Sequence, residues 1–270
     1  MPDETDKAAA ATPESQGPAM GSPRRDPLVP FDYDRSFLSR PCWGMVRPFF
    51  RMFNWLYFSS IRYVGLENLP REGPVVLAVN HPAVIDSSLI GAYLTRRRLF
   101  YTMSEEELFL DRFPFKLMAL LITPLGAYPV DRRLAIDRQA VKYTVDRLCE
   151  GNMVLLAPEG GTERGWGLLP FRSGFVLLPL LARERLLRQG KPAEIQIVPA
   201  AILYRETPRA LRTKRAMRFR ARASFSIGKP FSLEDFVTPG KKKQQIMEEV
   251  TAYTRTWVEE LLRQLEEDLK

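Results

Sequence analysis

The sequence predicts an α/β fold: one domain with a central mixed sheet flanked by helices, preceded by an amphipathic aromatic segment. Three observations lead there. Short apolar runs at 61–66, 75–80, 99–103, 127–130, 153–157 and 195–203 are interleaved with segments of helical period. A later run, 217–227, alternates strictly, and residues 31–58 hold ten of the 29 aromatic side chains. The 270 residues, 45% hydrophobic and 27% charged, suffice for one large core and exclude disorder along the whole chain.

Residues 1–30 carry six of the 22 prolines and no aromatic, too little apolar surface to order themselves, and are expected to be a disordered tail. Residues 31–60 form the aromatic segment. At helical spacing Trp43, Val46, Phe50, Phe53 and Tyr57 share one face, with Arg47, Arg51 and Asn54 on another. Such a helix can lie in a lipid headgroup layer or pack as the first helix of the core, and the aromatic density favours the membrane surface. Residues 61–270 make the domain proper. Its helices are expected at 85–97, 105–121 (broken near Pro114), 134–150, 174–187 and 241–270. The last has Ile246, Val250, Tyr253, Trp257 and Leu261 as its inner stripe. In the run 217–227 the side with Met217, Phe219, Ala221, Ala223, Phe225 and Ile227 is expected to be buried and the side with Arg218, Arg220, Arg222, Ser224 and Ser226 exposed.

Composition narrows the chemistry. The chain has a single histidine and two cysteines, so neither a zinc-type metal site nor a disulfide framework is expected. The longest uncharged stretch in mid-chain, 117–130, falls short of the roughly 20 residues that cross a bilayer. Asp3, Glu4 and Asp6 occupy positions where a secretory or mitochondrial presequence needs positive charge, which makes a cytoplasmic location the expectation. The net charge is +8, and the densest basic run is 209–222, with seven bases and no acid. That run reads as a solvated face, as a dock for anionic headgroups, or as a surface for an acidic carrier protein. No nucleic-acid partner is expected, since no recognised binding motif accompanies the bases.

The histidine stands in Asn80-His81-Pro82-Ala83-Val84-Ile85-Asp86, where a buried strand gives way to a helix. In open α/β sheets ligands gather beyond the carboxyl ends of the strands. On one regular helix His81 and Asp86 would lie about 140° apart and could not touch. They meet if His81 precedes the helix, with Pro82 opening it. A carboxylate on one ring nitrogen then fixes the tautomer and leaves the other to take a proton from a hydroxyl. A lone histidine at a strand end is also a common structural or surface residue.

Further stretches decide between these readings. Asn80-His81 with Asp86, Gly126-Ala127-Tyr128-Pro129-Val130-Asp131-Arg132, Ala157-Pro158-Glu159-Gly160-Gly161-Thr162 followed by Leu168 to Gly174, and Ile197-Val198-Pro199-Ala200 follow one another in order. Together they resemble the four motifs of the glycerolphosphate and lysophosphatidic acid acyltransferases, the PlsC-like enzymes. The resemblance covers about 61–230. It departs where Ala83 replaces the usual serine, and where Gly161-Thr162-Glu163 follows Glu159-Gly160 in place of Thr-Arg-Ser.

The resemblance implies a glycerolphosphate acyltransferase-like fold and an O-acyltransferase of phospholipid biosynthesis, peripheral on the membrane. It would move an acyl group from acyl-CoA or acyl-ACP, as co-substrate and without a cofactor, to the hydroxyl of a lysophosphatidate, another lysophospholipid or a glycerol-phosphate acceptor. His81 would be the general base and Asp86 its orienting partner. Arg132 would hold the acceptor phosphate, and Glu159 an acceptor hydroxyl, unless it pairs with Arg132. Gly160 and Gly161 would bring backbone N–H groups to the substrate, unless they merely form a turn. The apolar stretch 113–125 reads as a core helix or as lining for an acyl chain. Two rival functions stay open: a non-catalytic lipid-binding or membrane-scaffold protein on the same fold, and a hydrolase pairing His81 with Ser87 or Ser104, for which no Gly-x-Ser-x-Gly elbow is present.

Overall fold

The computed structural model describes residues 40–83, 85–91, 99–104, 126–130, 136–160, 168–205 and 219–268; for 40–47, 87 and 99–104 it describes the backbone alone. The expected tail (1–30), the helix at 105–121, the apolar stretch 113–125 and the bases at 209–218 lie outside the described residues.

In chain order the elements are α1 (Arg40–Tyr57), β1 (Ser60–Val64), β2 (Val75–Val79), α2 (Asp86–Gly91), β3 (Leu99–Ser104), β4 (Ala127–Val130), α3 (Arg138–Cys149), β5 (Met153–Leu156), α4 (Gly174–Arg188), β6 (Gln196–Arg205), β7 (Arg222–Ile227), β8 (Phe231–Ser232) and α5 (Lys243–Glu267). Among the described residues the strands form one sheet in the order β1-β7-β6-β2-β5-β3-β4, with β8 against β6. Strands β6, β2, β5, β3 and β4 run parallel, while β7 and β8 oppose β6. The sheet is therefore mixed, as expected.

Helices cover both faces, which is why β2 reads Val-Val-Leu-Ala-Val and is buried at every residue. On one face Leu77, Val79, Val198, Ala200, Ile202 and Phe225 pack with Phe58 from the end of α1 and Leu89 of α2. On the other, Val76, Ala78, Ile195 and Ile197 meet Tyr143 of α3, Phe175 and Leu180 of α4 and Ile246 of α5. Asp137 starts α3, accepting the N–H groups of Gln139 and Ala140 at 3.0 and 3.1 Å.

Three expectations are corrected. The run 217–227 is not one strand buried on one side. Arg220 takes a left-handed φ of 63° and donates its N–H to Tyr57 O at 2.7 Å, so a turn latches the end of α1 and β7 begins only at Arg222. Ser224 and Ser226 are buried because they pair with Leu203 and Ala201, on the face that α5 covers. In α5 the inner stripe passes through Thr254 and Val258 in place of Tyr253 and Trp257, whose rings form an outer cluster with Phe231 and Phe236. The first strand stops at Val64 because Gly65 adopts φ 71° and sits where a Cβ would lie 2.2 Å from Ile227 O.

The third correction concerns α1, which has two apolar faces. Phe53 and Tyr57 face the core, and Asn54, assigned above to the polar side, is buried beside them. The outward face is Phe49, Met52, Trp55 and Leu56, each more than half exposed. None of the described helices is long and apolar enough to cross a membrane.

Candidate active site

The site forms where β2 ends. Asn80 extends the β2–β6 ladder with its side chain: Nδ2 donates to Ile202 O at 3.0 Å and Oδ1 accepts Ile202 N–H at 2.7 Å. His81 follows, its N–H donating to Glu159 Oε1 at 2.9 Å. Residues 81–83 are not helical, and α2 begins at Asp86, later than a start at Pro82 would give. The chain can thus fold back so that His81 Nδ1 lies 2.8 Å from Asp86 Oδ2. The same oxygen accepts Ala83 N–H at 3.2 Å. A third of the imidazole is open to solvent, whereas the carboxyl is buried, 3% exposed. That combination suits a base that must reach a substrate and an acid that must stay fixed.

The other carboxylate oxygen, Asp86 Oδ1, accepts the hydroxyl of Tyr204 at 2.5 Å. Burial, and then the Asp86 charge, push the Tyr204 phenol well above the ordinary tyrosine range, so it stays a donor. Nothing in the sequence singles Tyr204 out; it ends an apolar strand and reads as one more core aromatic.

Glu159 is buried, and both its oxygens serve the backbone: Oε1 accepts from His81 and Oε2 from Leu169 N–H at 2.9 Å. It therefore ties the histidine to the 168–173 segment. Gly160 has φ 70° and its N–H closes a turn onto Ala157 O at 3.0 Å, so that group points at the chain. At Gly160 this is the turn that the sequence left open as the alternative to a substrate-facing N–H. A Cβ there would come within 3.2 Å of Arg172 Cδ and Nε, which places the exposed Arg172 side chain across the glycine. Arg172 was legible in sequence only as part of the third motif, without a role. Arg132 and Gly161 lie outside the described residues, as do Ser104 and the side chain of Ser87 in all but backbone.

The model of a family described as acyltransferase matches residues 60–203. Two curated proteins, each named 1-acyl-sn-glycerol-3-phosphate acyltransferase, are similar. The one from Borreliella burgdorferi is 28% identical over 137 residues, half of this chain and 52% of that protein. The one from Bacillus subtilis is 25% identical over 192 residues, 71% of this chain and 84% of that protein. The chain thus spans about half the length of the first. In fold it is similar to the crystal structure of the 1-acyl-sn-glycerophosphate acyltransferase PlsC from Thermotoga maritima, with a TM-score of 0.60 and 19% identity over 83% of this chain and 79% of that one.

Proposed function

The chain belongs to the acyltransferase family, and from that premise we propose that it transfers a fatty acyl group from a thioester, acyl-CoA or acyl-ACP, to the hydroxyl of 1-acylglycerol 3-phosphate or a related lysolipid. The observation that carries the reading is the 2.8 Å contact between a partly exposed imidazole and a buried carboxylate at the carboxyl end of β2.

In the proposed reaction His81 takes the acceptor hydroxyl proton as the oxygen attacks the thioester carbonyl. The new C–O bond forms, the C–S bond breaks, and the imidazolium returns the proton to the departing thiolate. Asp86 holds the ring in the tautomer with Nδ1–H and stabilises the cation. No covalent acyl-enzyme is needed. Glu159 acts by fixing the His81 backbone. Arg172 and Arg132 are the bases assigned to the phosphate of the acceptor.

The same reading places the enzyme at a membrane surface. Phe49, Met52, Trp55 and Leu56 project from α1, and Phe219, also exposed, packs its ring 5.5 Å from Tyr57 at that helix's end. Arg51 and Arg222 stand exposed nearby in the chain. Apolar side chains with arginines around them suit the headgroup boundary.

The test is thiol release from acyl-CoA and from acyl-ACP in the presence of lysophosphatidate vesicles, with wild type against His81→Ala. Thiol and phosphatidate are expected from wild type alone. Equal turnover by a well-folded His81→Ala removes the base assignment, and liposome binding without any thiol release assigns the scaffold role instead.

A further inference from the structure

We propose that Tyr204 is a positioning residue of this site, its hydroxyl holding the Asp86 carboxylate in the orientation that presents Oδ2 to His81. The inference deepens the reading above and rests on it.

Three observations carry it. First, the two oxygens of Asp86 have divided duties: Oδ2 accepts from His81 and Ala83, and Oδ1 accepts from Tyr204. A carboxylate gripped at both ends cannot rotate about its terminal bond without breaking a hydrogen bond. Second, the hydroxyl is in an unlikely place for packing alone. The ring lies in an apolar layer, 2% exposed, stacked on Phe58 with centroids 5.7 Å apart and planes 12° from parallel. Phenylalanine would fill that layer equally well, and a buried hydroxyl without a partner would be costly. Among the described residues its hydrogen-bond partner is Asp86. Third, the oxygen is placed by the sheet, since Tyr204 pairs with Ala223 in the β6–β7 ladder.

The consequence is electrostatic as well as geometric. A donor on a buried carboxylate favours its anionic form, the form that must face an imidazolium during turnover. The ionisable groups around the phenol are Asp86 from α2, Tyr57 from α1 and Tyr63 from β1, with His81 and Glu159 beyond the carboxylate. Removing the hydroxyl leaves the carboxylate a stronger proton acceptor, so the His81–Asp86 pair holds its proton to higher pH.

The experiment is Tyr204→Phe, with folding checked by near-UV circular dichroism. In thiol-release kinetics we expect kcat to fall about 10- to 100-fold, KM for both substrates to stay within about twofold, and the acid limb of the kcat profile to move up by about half a pH unit or more. A readout independent of activity comes from the composition: His81 is the single histidine, so a 15N-imidazole NMR spectrum reports on it alone. The variant should titrate at higher pH than wild type. An unchanged titration overturns the proposal. Should wild type show no thioester turnover, the function proposed above fails while the spectrum still decides whether Tyr204 governs the pair. Phe58→Leu, which loosens the stacked ring and keeps the hydroxyl, should shift the titration in the same direction by less, and serves if Tyr204→Phe does not fold.

Discussion

Asn54 and Ser88 hold each other through two hydrogen bonds, Asn54 Nδ2 to Ser88 O at 2.9 Å and Ser88 Oγ to Asn54 Oδ1 at 2.8 Å. Both are buried, and they join α1 to α2 two residues beyond Asp86. Asn54→Ala leaves the Ser88 carbonyl without that donor, for a cost of about 1–3 kcal/mol. Urea denaturation should show the loss as a lower midpoint with an unchanged slope.

Asp86→Asn keeps the volume and removes the charge. The amide cannot stabilise an imidazolium, so kcat should fall about 10²- to 10⁴-fold with little change in KM, measured by thiol release. His81→Ala should fall within the same range.

Glu159→Gln gives one of the two oxygens' places to an NH₂ group, which cannot accept from a backbone amide. Either His81 N–H or Leu169 N–H then loses its partner. The expected result is a stability loss of about 1–3 kcal/mol together with a lower kcat, read by thermal melting and by turnover.

Met52→Ser with Trp55→Ser tests the outward face of α1. Trp55 is 74% exposed, so the fold should change by no more than about 0.5 kcal/mol per site. Sedimentation with anionic liposomes should drop several-fold, and wild-type binding should weaken at higher salt as the arginines are screened. Undiminished sedimentation would refute the membrane role of this face.

Tyr204 also sets an alkaline limit. Its folded-state proton affinity is raised by burial above that of the unfolded chain, so its contribution to stability is complete below about pH 10 and is lost as pH rises through the folded value. In that window the slope attributable to it approaches 1.4 kcal/mol per pH unit. Urea midpoints of wild type between pH 9 and 11 should fall more steeply than those of Tyr204→Phe.

The strands were legible because apolar runs such as Val75–Val79 carry their own burial pattern, and the His81–Asp86 meeting because a five-residue spacing permits only a pre-helical histidine. What escaped were partnerships between distant segments. Asn54 looks polar and exposed until Ser88, 34 residues on, is brought against it. The backbone partners of Glu159 are hidden in the same way, because nothing local shows that the amides of His81 and Leu169 converge on it. The burial of Ser224 and Ser226 depends on α5 crossing β6 and β7, which the alternation within β7 cannot report.

Because the last rung between β2 and β6 is built by the amide of Asn80, replacing that residue leaves both the N–H and the C=O of the buried Ile202 without this partner. One side chain therefore serves the pairing of the two central strands and, through the next peptide bond, the stance of the imidazole. A change there is felt by scaffold and chemistry together.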